Sequence, residues 1–319
     1  MSFRIDPRLP LTAEVRRIAK GEIEGMLRHL ASAADSPDKA MHGCRKRIKR
    51  LRALLRLVRA GDPDFIREEN ARYRDIAASL AGPREAAALI ETVDRLAAAF
   101  PEHAAAEAFE VMRGTLKARR RRLLNEDRAL AALAEGAAAS CRAGLGKIDA
   151  LALPGDPEQA ADVLADGARD TLTKARNALK DAGERGDKED FHDLRKAVKA
   201  HAMHLSLLKK LWPEPIQAQR KQVEALGESL GDLHDIFVMR AMLAGDGDPL
   251  AGRAETKLID RLLKRSERRL RKACLKEAGA LFSDSPKRAV KQLARRARDD
   301  LAEGRQPGPK NRAAEQAAS

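Results

Sequence analysis

The chain has 319 residues, with 62 Lys and Arg against 48 Asp and Glu, a net charge of +14 and a pI near 9.9. That balance points to an anionic partner (nucleic acid, an acidic polymer or an anionic surface) and says nothing of fold. Aromatic residues make up only 3 %, which counts against a single-strand nucleic-acid platform built on base stacking and against a membrane-interface belt.

The N-terminal MSFRIDPRLPLTAEVRR lacks the apolar core of a secretory signal, and no uncharged apolar run approaches the ~18 residues needed to span a bilayer. A cytoplasmic protein with no membrane partner is expected. Cys44, Cys141 and Cys274 are far apart and show no metal-ligand spacing, so they are expected as reduced, mostly buried thiols. Ala, Leu, Arg, Lys and Glu abound and no segment alternates at period two, so the chain reads as all-α.

Breakers at Asp35-Ser36-Pro37, Gly61-Asp62-Pro63, Gly82-Pro83 and Phe100-Pro101 divide the first half into helices. Between Met41 and Arg59 there is no breaker, which predicts one helix. At 100° per residue, Cys44, Ile48, Leu51, Leu55 and Val58 form its apolar stripe, and His42, Arg45, Lys49, Arg52, Arg56 and Arg59 share an adjacent arc about 100° wide. No acid occurs from residue 39 to 61. Cations so placed repel one another unless an anion neutralises them. The last long helix of this half carries KARRRRLL, Lys117 to Leu124, with Arg119 and Arg122 one turn apart.

The stretch from Leu145 to Glu158, with Pro154-Gly155-Asp156-Pro157, is the expected link. The second half is punctuated at Gly183 to Asp187, Trp212-Pro213, Gly231-Asp232, Gly245 to Pro249 and Ser283 to Pro286. Its last long helix carries RLLKRSERRLRKACLK, with Arg265 and Arg269 on one face. Two helical bundles are expected, residues 4–145 and 158–303, followed by a disordered tail, 304–319.

The halves repeat one another at an offset of 150 positions. MHGCRKRIKRLRALLRLV around His42 aligns without gaps on FHDLRKAVKAHAMHLSLL around His192: His42 on His192, Arg45 on Arg195, Lys46 on Lys196, Lys49 on Lys199. The register continues to Arg119 on Arg269. Ala202 and Ser206 replace Arg52 and Arg56, so the second basic stripe is shorter. A duplicated cationic element implies a site for an anion.

These motifs resemble the CHAD family, the α-helical domain named for its histidines. The resemblance rests on HxxRKxIKRLRxLL at His42, HxLRKxVK at His192, LGDLHDIFVM at Leu230 and the weaker LAGPREAAALI at Leu80. It spans about residues 10 to 300. It implies two four-helix bundles related by a pseudo-two-fold axis, with a basic central groove that binds inorganic polyphosphate, and association with polyphosphate granules. By that resemblance His42, Arg45, Lys46, Lys49, His192, Arg195, Lys196 and Lys199 line the groove, with Arg119, Arg122, Arg265 and Arg269 as further contributors. Arg52 and Arg56 extend the first stripe. Polyphosphate has one charge per phosphate and no bases, so a cation-lined track with guanidinium forks and nothing to stack on suits it.

Other readings compete. His192-Asp193 and His234-Asp235 suggest a metal phosphohydrolase, but the repeat does not preserve these pairs, and no metal or other cofactor is expected. His201 and His204, spaced i, i+3, could share zinc; they fall at the positions of Leu51 and Leu54, on the packing side. No GxxxxGK loop or nucleophile elbow occurs. The expectation is therefore a non-enzymatic polyphosphate-binding protein. Nucleic acid is expected only as a non-specific partner; the alternatives are a polyphosphate or triphosphate phosphohydrolase or its accessory subunit, and a nucleic-acid-binding helical protein.

Overall fold

The computed structural model describes residues 3–80, 82–103, 107–125, 127–211, 217–245 and 255–303, excepting the side chains of 82–87, 122–125, 127–130 and 255–256. The described residues contain eleven α-helices and no strand: α1 (Leu11–Ala31), α2 (Pro37–Leu57), α3 (Pro63–Ser79), α4 (Gly82–Ala99), α5 (Glu107–Asn125), α6 (Asp127–Lys147), α7 (Pro157–Glu184), α8 (Lys188–Leu207), α9 (Arg220–Leu243), α10 (Glu255–Leu281) and α11 (Pro286–Glu303). The tail 304–319, expected to be disordered, lies outside the described residues.

Helix starts follow local chemistry. Proline occupies the first turn of α2, α3 and α7, where its missing N–H costs nothing. Asp156 accepts from the backbone N–H of Glu158 and Gln159, both at 3.0 Å, to cap α7. Asp187 and Asp190 form a capping box on α8. One expected break does not occur. Gly231-Asp232 lies inside α9, because glycine without proline only lowers helix propensity by ~1 kcal/mol and buried Gly231 packs beneath Arg195 and Lys199.

In the first half, α1 packs on α2 and α6, and α3 on α2 and α6. The α4–α5 hairpin leaves this ring and packs on α9 and α10. It shares a separate apolar core with them, built on Leu96, Phe100, Phe109, Met112, Ile236, Ile259 and Leu263. In the second half, α8 packs on α7 and α9, and α11 packs on α7. The larger core draws on both halves, from Ile23 and Leu54 to Leu205 and Leu233. Contacts of α2 with α7 and α8 join them. There, His204 of α8 donates from Nε2 to the Ala53 carbonyl of α2 at 3.0 Å. His201 and His204 are buried, as packing residues, and His201 stands edge-on to Phe282. The three cysteines are free and buried, and burial pushes the Cys44 and Cys274 thiols up to about 12.

The N-terminal segment crosses between halves. The Ile5 N–H donates to the Leu207 carbonyl at 2.9 Å, and Lys210 pairs with Asp6 at 2.7 Å. The link after α6 is tied to α1: Arg16 donates to the Leu151 carbonyl at 2.7 Å, and Thr12 exchanges hydrogen bonds with Leu153. Among the described residues, no helix is long and apolar enough to cross a membrane.

Candidate functional site

The basic arc of α2 is divided by its neighbours. On the side facing α3, Arg45 donates from Nη1 to the Ala77 carbonyl at 2.8 Å and, more weakly, to the Leu80 carbonyl at 3.4 Å. It thus satisfies acceptors that the end of α3 leaves open. Arg52 donates to the Asn70 side chain at 3.0 Å, and burial, with Arg56 and Arg74 nearby, pulls its pKa down to about 10. Further along, Arg56 and Arg59 turn toward α7 and line a hollow of about 650 Å³ that also contains Asp166 and Asp170. Arg59 pairs with Asp170 at 3.6 Å.

His42, Lys46 and Lys49 are exposed and open onto two recesses with Lys46 common to both. The first, about 640 Å³, brings His42 and Lys46 together with His29, Lys39, Arg47, Arg50 and Arg120. Its carboxylates are Asp38 and Glu91, and Asp38 pairs with Arg120. The second, about 500 Å³, brings Lys46, Lys49 and Arg50 of α2 against Lys199 of α8, with Ser206, Glu224 and Glu228 on its walls. Lys199 pairs with Glu228 at 3.5 Å. Burial and then Arg195 lower its pKa, with Glu228 opposing. Cations from both halves therefore face one hollow.

His192 and Arg195 continue the α8 stripe beneath α9. The His192 ring stacks on His234, centroids 4.9 Å apart at 29°. Burial, then Arg195, His192 and Lys199, hold His234 down to about 4, and His192 is also lowered, by burial first. Asp235 and Asp232, the acids of LGDLHD, converge on Arg95 of α4 at 3.2 and 3.3 Å. Burial raises both carboxyls, and Arg95 opposes it. Among the described residues, no three His, Cys, Asp or Glu side chains are arranged to hold a metal ion.

The remaining candidates stand apart. Lys196 pairs with Asp193 at 2.6 Å and lines a mixed-charge hollow with Arg56 and Asp190. Arg119 is exposed, its Nη1 3.9 Å from Met242 Sδ. Arg265 lies over the Phe100 ring at 5.3 Å, and Arg269 is exposed on the same helix. None of these lines either α2 recess. The Arg122 side chain, residue 81 and the side chains of 82–87 in the LAGPREAAALI motif lie outside the described residues.

The sequence reading missed Arg47, Arg50 and Arg120. The first two stand off the basic arc, and their partner Glu22 lies on α1. No linear spacing pairs residue 22 with 47.

Among solved structures, PptA from Streptomyces chartreusis is similar with a TM-score of 0.52 at 17 % identity, over 94 % of this chain and 100 % of that one. The CHAD domain from the plant Ricinus communis gives a TM-score of 0.52 at 17 % identity, over 95 % of this chain and 94 % of that one. At such identity both likenesses concern the fold alone. No curated protein sequence matches the chain. The CHAD domain sequence profile matches residues 17–244, which run from α1 to the end of α9 and carry both histidine motifs and LGDLHD. The chain belongs to the CHAD domain family.

Proposed function

We propose that this protein binds inorganic polyphosphate and holds it without hydrolysis, along the two joined recesses of α2. One observation carries the reading: Lys46 and Lys49 of α2 and Lys199 of α8 meet in one hollow, which Lys46 and Arg50 connect to the cation-rich first recess. A linear polyanion can follow such a track from one to the other. Membership of the CHAD family supports the same ligand, as does the scarcity of aromatic rings, since polyphosphate offers nothing to stack. A binder of this kind collects where the polymer does, on polyphosphate granules.

The test is calorimetric titration with long-chain polyphosphate at moderate salt, for wild type and for Lys49→Glu with Lys199→Glu. Both lysines are partly or fully exposed, so the double variant keeps its helix content and loses most of its affinity. Unchanged affinity in the folded variant refutes the site. Two side arms address the competing readings. Phosphate released from polyphosphate or triphosphate with Mg²⁺, Mn²⁺ or Zn²⁺, and lost in His234→Ala, would establish a hydrolase. Displacement of polyphosphate by DNA at matched charge would favour a nucleic-acid ligand.

A further inference from the structure

We propose that Arg47 and Arg50 form a phosphoryl-binding fork in the first recess, and that Glu22 and Gly25 of α1 are the residues that position it. This rests on the polyphosphate reading and assigns a subsite within it. Glu22 is 4 % exposed and divides its two oxygens between the arginines: Oε2 accepts a hydrogen bond from Arg47 Nη1 at 3.3 Å, and Oε1 forms an ion pair with Arg50 Nη2 at 3.1 Å. The Gly21 carbonyl lies 3.5 Å from the same Arg47 nitrogen, and the Arg50 guanidinium sits 4.1 Å from the Phe3 ring centroid. Both side chains are thus anchored from the α1 side while lining the recess that His42 and Lys46 open. Two guanidiniums on one carboxylate keep a net positive charge, and their planar donor sets suit phosphate oxygens.

Gly25 makes the anchoring possible. A Cβ at this position would stand 2.2 Å from Arg47 Cζ, so the guanidinium lies flat against α1 only because residue 25 has no side chain. The fork belongs to the first half alone: the positions 150 residues further on are Ala197 and Ala200. The two halves of the track therefore differ in kind. The first presents a rigid two-arginine site and the second presents single cations.

Glu22→Gln and Gly25→Ala separate this from simple electrostatics. Glu22→Gln removes a negative charge beneath the recess, so added charge alone would tighten binding. Loss of the clamp weakens it, by about tenfold for one well-placed charge-assisted contact. Gly25→Ala changes no charge and improves helix propensity, yet it displaces the end of a flexible arginine and is expected to weaken binding comparably. Glu91→Gln, at a recess carboxylate that does not hold the fork, is expected to strengthen it. Tighter binding in Glu22→Gln, or unchanged affinity in Gly25→Ala, overturns the proposal. The Arg47 and Arg50 Nε–Hε signals in NMR supply a ligand-free readout: rigid in wild type, mobile in Glu22→Gln, with the Arg47 signal altered in Gly25→Ala. If wild type binds no polyphosphate, the proposed function fails on that result. The NMR comparison still decides the clamp, which is refuted if the signals match those of wild type.

Discussion

Two buried histidines of α8, one of them at the junction of the halves, make the fold sensitive to acid. His204 is fully buried and His201 is 3 % exposed, and burial holds their pKa values down to about 4 and about 3, from an ordinary 6.5. His204 donates from Nε2 to the Ala53 carbonyl, and its Nδ1 has no hydrogen-bond partner. A proton added there is an uncompensated buried charge. The unfolded chain takes up these protons below pH 6.5 and the folded chain does not. Stability is therefore complete above 6.5 and lost as pH falls toward the folded values. At pH 5 each histidine lies about 1.5 pH units below its unfolded pKa, which corresponds to roughly 2 kcal/mol apiece and ~4 kcal/mol together. That is a large share of the 5–15 kcal/mol typical of a domain (about). The assay is urea unfolding at pH 7.5 and pH 5.0 for wild type and for His201→Leu with His204→Gln. Leucine matches the residue that the first half places there, Leu51, and glutamine can still donate to Ala53. Carboxyls that burial raises, including Glu22, Glu69, Asp232 and Asp235, are common to both proteins and cancel in the comparison. The double variant is expected to lose ~4 kcal/mol less than wild type between the two pH values. An equal loss in both proteins would refute the reasoning.

Affinity for polyphosphate is expected to fall steeply with salt. Lys39, Lys46, Arg47, Arg50 and Arg120 in the first recess, with Lys49 and Lys199 in the second, make seven cations; at ~0.7 counterions released per neutralised charge, the log–log slope is about −5, and Lys46→Ala lowers its magnitude by ~0.7. A slope near −1 in wild type would mean that the recesses do not act as one track. Arg45→Ala is expected to cost ~1–3 kcal/mol of stability by exposing the end of α3, whereas Lys49→Ala stays within ~0.5 kcal/mol; thermal melts compare the two. Arg95→Leu strips Asp232 and Asp235 of their shared cation. Its destabilisation is expected to be greatest at neutral pH and to shrink on acidification as both carboxyls protonate, which melts across pH 4 to 7.5 check.

The sequence by itself determined the all-helical class, most of the helix limits and the family. Those properties are local: proline, glycine and capping acids act within a turn or two, and the histidine motifs are contiguous. It also carried the cationic character on which the proposed ligand rests, because a run from 39 to 61 without an acid is cationic in any fold. Which of those cations share a surface was decided by tertiary packing. Arg45, Arg52 and Lys49 lie on one arc of α2, yet α3 covers the side that holds the two arginines and offers them carbonyl and amide acceptors. Lys49 instead faces Lys199 across the junction with α8. Gly231-Asp232 looked like a break and lies within a helix, since α9 gains more from packing on α8 and α10 than glycine costs. Arg47 and Arg50 were not singled out as site residues, because Glu22, which pairs with both, and Gly25, which lets Arg47 approach α1, lie more than twenty residues earlier on another helix. A helix fixes the angle of every side chain about its own axis; only the helices packed around it decide which angles face a ligand and which face protein.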